Sequence, residues 1–272
     1  MGIRLDRSGS VAVITIDRPD KLNALTLAMY EELGEAFAEV RDDRRIGVAV
    51  LTGAGDRAFC VGADLGESIP ALTEERFDIS EWDAAHQKHS TLEKPVIAAV
   101  NGLCLGGGFE IMLSTDIRLA ADGAQFALPE TGVGVVPAGG TLVRLIRQIP
   151  YAFAMDLMLR GGRIDAETAM RYGLVNRVVP TAQLQDRALE VAEELLTRSA
   201  TALATVKRAV RALADLPEDE AFRHEAVLGQ QAFASDDARE GLAAFAARRA
   251  PAFPSRSSAP APALAETGRA DG

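Results

Sequence analysis

The sequence predicts an α/β core followed by a helical extension. Three observations carry this prediction. Short β-branched apolar runs alternate with helix-period segments in the first half of the chain, the pattern of a layered α/β core. Residues from 150 to 249 are rich in Ala, Leu, Glu and Arg and read almost entirely as helix. Beyond Ala250 the segment PAFPSRSSAPAPALAETGRADG is dominated by Pro, Ala and Ser and has no periodicity, which predicts disorder. The expected organisation is a core over 1–195, a helical region over 196–249 and a disordered tail over 250–272.

The elements follow in order. Val11 to Ile16 (VAVITI), bounded by Gly9 and Pro19, reads as a strand. Ala28 to Val40 sets Met29, Leu33, Phe37 and Val40 on one face and reads as a helix. Val48 to Leu51 is a short buried strand ending at Gly53. Pro95 opens VIAAV, another buried strand, which runs into Asn101-Gly102. A glycine run, a short apolar helical segment and a strand around Ile117 to Ala120 come next. From Ala182 to Ala214 the apolar positions suit packed helices with a break near Thr197 to Ser199. Pro217 opens a further helix, and Ser235-Asp236 is a cap for the last one.

Composition removes several function classes. The 272 residues carry 29 Lys and Arg against 39 Asp and Glu, a net charge of −10. Nucleic-acid binding needs a basic footprint, so no nucleic-acid partner is expected. The chain is 48% hydrophobic and 25% charged, which excludes wholesale disorder and collagen-like structure. Cys60 and Cys104 are the two cysteines, 44 residues apart and without a CxxC pair. They support neither a disulfide framework nor a Cys-based zinc site. His86, His89 and His224 match no ligand pattern, so no metal is expected; the pair His86/His89, three apart, is expected on a helix surface. No signal h-region and no run of 18 apolar residues is present, and Asp6 breaks the myristoylation pattern after Gly2. A cytoplasmic protein without membrane contact is expected.

Four loops are candidates for chemistry. Gly53-Ala54-Gly55-Asp56-Arg57-Ala58 fits G-x-G-x-x-A, but no βαβ unit closes after it, so a plain turn is the preferred reading. Leu105-Gly106-Gly107-Gly108-Phe109-Glu110 puts bare backbone N–H groups at a helix entrance, where they attract developing negative charge. Gly107 and Glu110 share a helix face, so a donor and a carboxylate flank one spot. Close helix–strand packing through glycine is the equally weighted alternative. In Phe59-Cys60-Val61-Gly62-Ala63-Asp64-Leu65 the small residues let backbone approach a ligand, and Asp64 is a possible cap for a short helix. Glu130 follows Pro129 and reads either as a helix-start Glu or as a second pocket carboxylate, 20 residues after Glu110.

Taken together, these segments resemble the crotonase superfamily of enoyl-CoA hydratases and isomerases over residues 5–253. The residues that carry the resemblance are Arg18-Pro19-Asp20-Lys21-Leu22-Asn23-Ala24-Leu25, Ala58-Phe59-Cys60-Val61-Gly62-Ala63-Asp64-Leu65, Asn101-Gly102 through Gly106-Gly107-Gly108-Phe109-Glu110, Pro129-Glu130 with Gly132 and Gly134, and Gly173-Leu174-Val175-Asn176-Arg177-Val178-Val179. Their shared order and spacing make the likeness specific. It implies a crotonase-like spiral of repeated ββα units forming two nearly perpendicular sheets. It also implies C-terminal helices that build a homotrimer or dimer of trimers.

The resemblance further implies an acyl-CoA thioester substrate, with coenzyme A as part of the substrate and no separate cofactor, and a place in fatty acid metabolism. The N–H groups of Ala63 and Gly107 fall at the oxyanion hole, where each fixed donor is worth about 10²–10³ in rate. Glu110 and Glu130 fall at the two catalytic glutamates. Glu110 is expected to activate the water that attacks Cβ and Glu130 to exchange the proton at Cα. Having both favours hydration over isomerisation. The sibling reactions are enoyl-CoA isomerisation, carnitinyl-CoA-like dehydration and the hydroxycinnamoyl-CoA hydratase-lyase reaction; a scaffold without activity is disfavoured. Arg18, Lys21, Ala24, Ala63, Asp64, Leu65, Gly66 and Gly107 are the implied substrate contacts, with Arg248 and Arg249 matching a C-terminal basic cluster near the CoA phosphates.

Two departures from the family pattern stand out. The loop Pro137-Ala138-Gly139-Gly140-Thr141 is one residue shorter than the PGxGGT of many hydratases, which puts substrate preference and hydration in question. The segment from Gly66 to Ser90 matches nothing diagnostic, and its Phe77 and Trp82 are either pocket lining or core.

Overall fold

A computed structural model of the chain describes residues 2–74 and 76–256. The chain divides into two compact units, Met1–Thr197 and Arg198–Gly272. In the first unit the chain runs through β1 (Gly2–Ser8), β2 (Val11–Asp17), α1 (Leu27–Asp42), β3 (Val48–Gly53), β4 (Ala58–Cys60), α2 (Ser68–Thr73), β5 (Val96–Val100), β6 (Leu103–Leu105), α3 (Gly107–Met112), β7 (Ile117–Ala121) and β8 (Gln125–Ala127). It continues through α4 (Thr141–Gln148), α5 (Tyr151–Arg160), β9 (Ile164–Asp165), α6 (Ala166–Tyr172), β10 (Arg177–Val179) and α7 (Leu184–Leu196).

Two sheets result. The larger has the order β1-β2-β3-β5-β7-β10 and the smaller β4-β6-β8-β9. The β1/β2 and β8/β9 pairs are antiparallel and the remaining pairs parallel. Consecutive strands alternate between the sheets: β3 then β4, β5 then β6, β7 then β8. Each pass of the chain therefore lays one strand in each sheet, which is the ββα spiral.

The residues explain this placement. Strands β3 and β5 are buried along their whole length, as continuous apolar runs in parallel sheets must be. Thr26 caps α1 by accepting from the Met29 N–H at 3.2 Å, and the helix buries Met29, Leu33, Phe37 and Val40. Between the sheets, Phe109 of α3 meets Phe126 of β8 edge-on with ring centroids 6.3 Å apart.

The second unit holds α8 (Ala200–Leu213), α9 (Glu218–Phe233) and α10 (Asp236–Ala246). Ser199 and Ser235 cap α8 and α10, accepting from Ala202 and Ala238. Pro217 stands at the start of α9, as its fixed φ favours. No helix among the described residues is long and apolar enough to cross a membrane.

The structure corrects several expectations. The region from 150 is not all helical, because β9 and β10 interrupt it and β10 pairs with β7 in the larger sheet. The tail does not begin at 250: Pro254–Arg256 forms a 3-10 turn, and the Ser255 N–H donates to buried Asp237 at 3.0 Å. The rest of the expected tail, 257–272, lies outside the described residues. His86 is not on a helix surface but 1% exposed, within a run of turns. The strands β4, β6 and β8, three residues each, are too short to show a period in sequence.

Candidate active site

The short helix α3 sets the first group in place. Gly106, at φ 52°, turns the chain out of β6 and into α3. Gly107 opens that helix, so its N–H has no acceptor within the helix. Opposite, Leu25 and Ala63 form an isolated parallel bridge, in which the Leu25 N–H donates to Gly62 O and the Asp64 N–H to Leu25 O, both at 2.8 Å. The Ala63 N–H is left out of that bridge. A Cβ placed on Gly62 would lie 2.8 Å from the nitrogen of Gly107, and one on Gly107 would lie 3.7 Å from the nitrogen of Ala63. Two backbone donors without an acceptor among the described residues are therefore close neighbours.

The packing reading of the glycine run holds for Gly108, while Gly107 stands at the first position of the helix. Gly108 packs against the β4 backbone, where a Cβ would fall 2.2 Å from the carbonyl oxygen of Cys60.

Glu110, one turn further along α3, is 6% exposed. Its Oε1 accepts from the Gly139 N–H at 2.6 Å and the Thr141 N–H at 3.4 Å. Burial raises its pKa, opposed by these donors and by nearby Lys88. The shortened loop over 137–141 thus still reaches the carboxylate. Glu130 sits in the 3-10 turn Pro129–Val133, with Pro129 at the first position, so the helix-start reading holds. Its Oε2 is buried and has no partner among the described residues. Burial, reinforced by the charge of Glu110, pushes its pKa up to about 7. A carboxyl of that kind holds or releases a proton near neutral pH.

Three aromatic rings back the site. Tyr30 of α1 stacks on Trp82 at 4.1 Å, and Phe77 tilts against Trp82 at 5.5 Å, so this pair is core packing that borders the pocket. The Tyr30 hydroxyl lies 2.8 Å from where a Cβ of Gly107 would stand and finds no described partner. Burial first, then the acids Cys60, Glu110 and Glu130, raise its pKa, so it remains a phenol. Tyr30 and His86 are functional candidates that the sequence did not disclose: Tyr30 lies outside the apolar face set by Met29, Leu33, Phe37 and Val40 and carries no motif of its own.

Comparison with known proteins decides the family. The family model for enoyl-CoA hydratase/isomerase matches residues 6–256. The chain belongs to the enoyl-CoA hydratase/isomerase family. It is 40% identical over 258 residues to carnitinyl-CoA dehydratase of Escherichia coli K12, covering 93% of this chain and 98% of that protein. The crystal structure of an enoyl-CoA hydratase from Bacillus anthracis shares 34% identity at a TM-score of 0.88, covering 93% of this chain and 99% of that one. An enoyl-CoA hydratase from Polaromonas sp. JS666 shares 30% identity at 0.87, covering 93% and 100%. The fold is accordingly that of the crotonase superfamily.

The enoyl-CoA hydratase/isomerase pattern also locates the remaining candidates. Arg18 donates to Asp64 at 2.5 Å and to the Ala24 carbonyl at 3.2 Å, so Arg18, Ala24, Ala63 and Asp64 come together. That guanidinium holds the Asp64 carboxyl below the usual range. Asp64 does not cap α2 as expected: its Oδ1 accepts from the Gly66 N–H at 2.8 Å, a tight local turn, and Glu67 occupies the cap position. Lys21 and Leu65 are exposed. Arg249, in the second unit, is engaged by Glu240 through two bonds of 2.6 and 2.9 Å, while Arg248 is exposed. The loop after β3 is a plain turn: Asn101 Nδ2 donates to the carbonyls of Gly53 and Gly55, and no helix follows.

Proposed function

We propose that the protein is an enoyl-CoA hydratase that reversibly adds water to the 2,3 double bond of a 2-enoyl-CoA thioester. One observation carries the reading: two carboxyl groups of raised pKa, buried Glu110 and half-buried Glu130, accompany two backbone donors without an acceptor among the described residues, Ala63 N–H and Gly107 N–H. The donors stabilise the enolate oxygen that forms when charge moves from Cβ onto the thioester carbonyl. Glu110, held as an acceptor by the backbone of Gly139 and Thr141, takes a proton from the attacking water. Glu130, with a pKa of about 7 and so about half protonated at pH 7, delivers the proton to Cα. Isomerisation commonly needs one carboxyl; two favour hydration. Every step uses groups of the chain and its substrate, with no separate cofactor or metal.

A second reading is favoured by the 40% identity to carnitinyl-CoA dehydratase. It keeps the same chemistry, run as elimination of water from a 3-hydroxyacyl-CoA. Purified protein is mixed with crotonyl-CoA, the enoyl-thioester absorbance is followed and the product identified. The expected product is 3-hydroxybutyryl-CoA. A shifted double bond without a hydroxyacyl product overturns the hydratase reading. Turnover of carnitinyl-CoA without turnover of crotonyl-CoA establishes the second.

We also propose that the protein works in the cytoplasm as a homotrimer or dimer of trimers. The support is the apolar surface of the second unit, where Phe233 and Phe245 are 76% and 85% exposed. Sedimentation equilibrium should give three or six times the chain mass; a monomer mass rejects the assembly.

A further inference from the structure

The buried polar atoms without described partners include Tyr30 Oη, Trp82 Nε1, His86 Nε2, Glu130 Oε2 and Thr141 Oγ1. His86 carries the strongest argument. Its Nδ1 lies 3.0 Å from the carbonyl oxygen of Trp82. A carbonyl only accepts, so Nδ1 bears the ring proton and Nε2 presents a lone pair. That lone pair needs a donor, and none of the described residues donates to it.

Glu110 faces the same point. The position a Cβ would occupy on Gly139 is 2.4 Å from His86 Nε2 and 2.6 Å from Glu110 Oε2. Gly139 keeps that point free of a side chain, which would clash with both groups. When Glu110 is ionised, both groups are acceptors and cannot bond each other. One water has two O–H groups and satisfies both.

We propose that His86 is a second holder of the reacting water: Nε2 accepts one of its hydrogens and Glu110 Oε2 the other, which turns the oxygen lone pair towards Cβ of the substrate. This rests on the hydratase reading. In the step that follows, the water oxygen bonds to Cβ, its O–H bond to Glu110 breaks, and that proton passes to the carboxylate. The electron pair of the double bond moves onto the thioester oxygen as an enolate, and Cα then takes the proton of Glu130. His86 neither gains nor loses a proton.

The surroundings suit this role. Arg144 of α4 donates to the carbonyls of His86 at 2.7 Å and Gln87 at 2.9 Å, tying the histidine loop to the helix that follows Gly139 and Gly140. Gln87 and His89 are held at positive φ, 52° and 54°, which persists only where the surroundings fix the backbone. Burial pushes the His86 pKa down to about 4, which keeps the ring neutral.

The test compares two reactions in one sample. Hydration needs the held water. Exchange of the Cα proton of butyryl-CoA in D2O needs the backbone donors and Glu130 but no water at Cβ. His86→Leu and His86→Phe remove the acceptor, and His86→Gln offers another. Expected is a loss of hydration of about 10–100-fold in the first two, exchange within about threefold of wild type, and partial recovery of hydration in His86→Gln. Hydration near the wild-type rate in either apolar variant overturns the proposal. So does an equal loss of exchange and hydration, which marks a structural role. Wild-type exchange without hydration of any enoyl-CoA fails the hydratase reading and takes the proposal with it.

Discussion

Gly108 stands against the carbonyl oxygen of Cys60 so closely that no side chain fits between them: a Cβ there would be 2.2 Å from that oxygen. This contact seats α3, and with it both the Gly107 N–H and the Glu110 carboxyl, on strand β4. Gly108→Ala must push the helix away or distort the strand. The expected cost is about 2–3 kcal/mol of stability, read as a lower denaturation midpoint, with catalysis falling even in the fraction that folds. A variant with wild-type midpoint and rate would show that α3 is not set by this contact.

Removing either carboxyl should stop the chemistry and leave binding. Glu110→Gln and Glu130→Gln are each expected to lower turnover by about 10²–10⁴, because proton transfer is lost while the backbone donors remain. Dissociation constants for a saturated acyl-CoA, measured by calorimetry, should change little. Near-wild-type turnover in either variant removes that residue from the mechanism.

The pH dependence follows from proton count. Hydration starts with Glu110 ionised and Glu130 protonated; dehydration starts with the reverse. Both arrangements hold one proton on the pair, so both directions share one pH profile. Glu130, at about 7, sets the alkaline side. Rates of hydration and dehydration should both fall above about pH 7 as the pair loses its shared proton. Opposite slopes for the two directions would contradict the shared proton.

Stability should carry the same signature. Burial raises the folded pKa of Glu130 from 4.5 to about 7, so folding favours the protonated form. Its contribution is full below pH 4.5 and is lost as pH rises through about 7. Glu130→Gln has no charge to bury. Thermal denaturation across pH 4–8 should show the Gln variant gaining on wild type as pH rises through this window. A constant difference in midpoint would place the Glu130 carboxyl in contact with solvent.

The cysteines should be silent. Cys60 and Cys104 are fully buried, and burial pushes the Cys60 thiol up to about 12. A thiol-disulfide reagent at pH 8 should label neither in the native protein and both after denaturation. Rapid native labelling would mean that β4 and β6 open readily.

Much of the site was legible because its residues lie in short ordered segments. The glycine run before Glu110, the Pro129-Glu130 pair and the small residues around Ala63 are each contiguous signals in the chain. The long runs VAVITI and VIAAV disclosed the larger sheet, since buried parallel strands are apolar throughout. The smaller sheet stayed hidden, because three-residue strands carry too few positions for a pattern. His86 was misread for a different reason. Its spacing to His89 suggests a helix face, whereas its burial comes from α1 and α4, segments remote in sequence. Likewise nothing in the order Leu65 to Ser90 announces that Trp82 stacks on Tyr30.

The position of Gly107 and Glu110 within one short helix separates the fixed parts of this enzyme from its adjustable ones. In the proposed mechanism, the distances that the enolate depends on are written into α3 and its glycine seat. The groups proposed to meet the water and the acyl end lie around 77–89 and 137–141, and Arg144 clamps the first segment to the helix that follows the second. A change of acyl preference therefore needs only an exchange of those segments, grafted as a matched pair so that Arg144 keeps its two carbonyls.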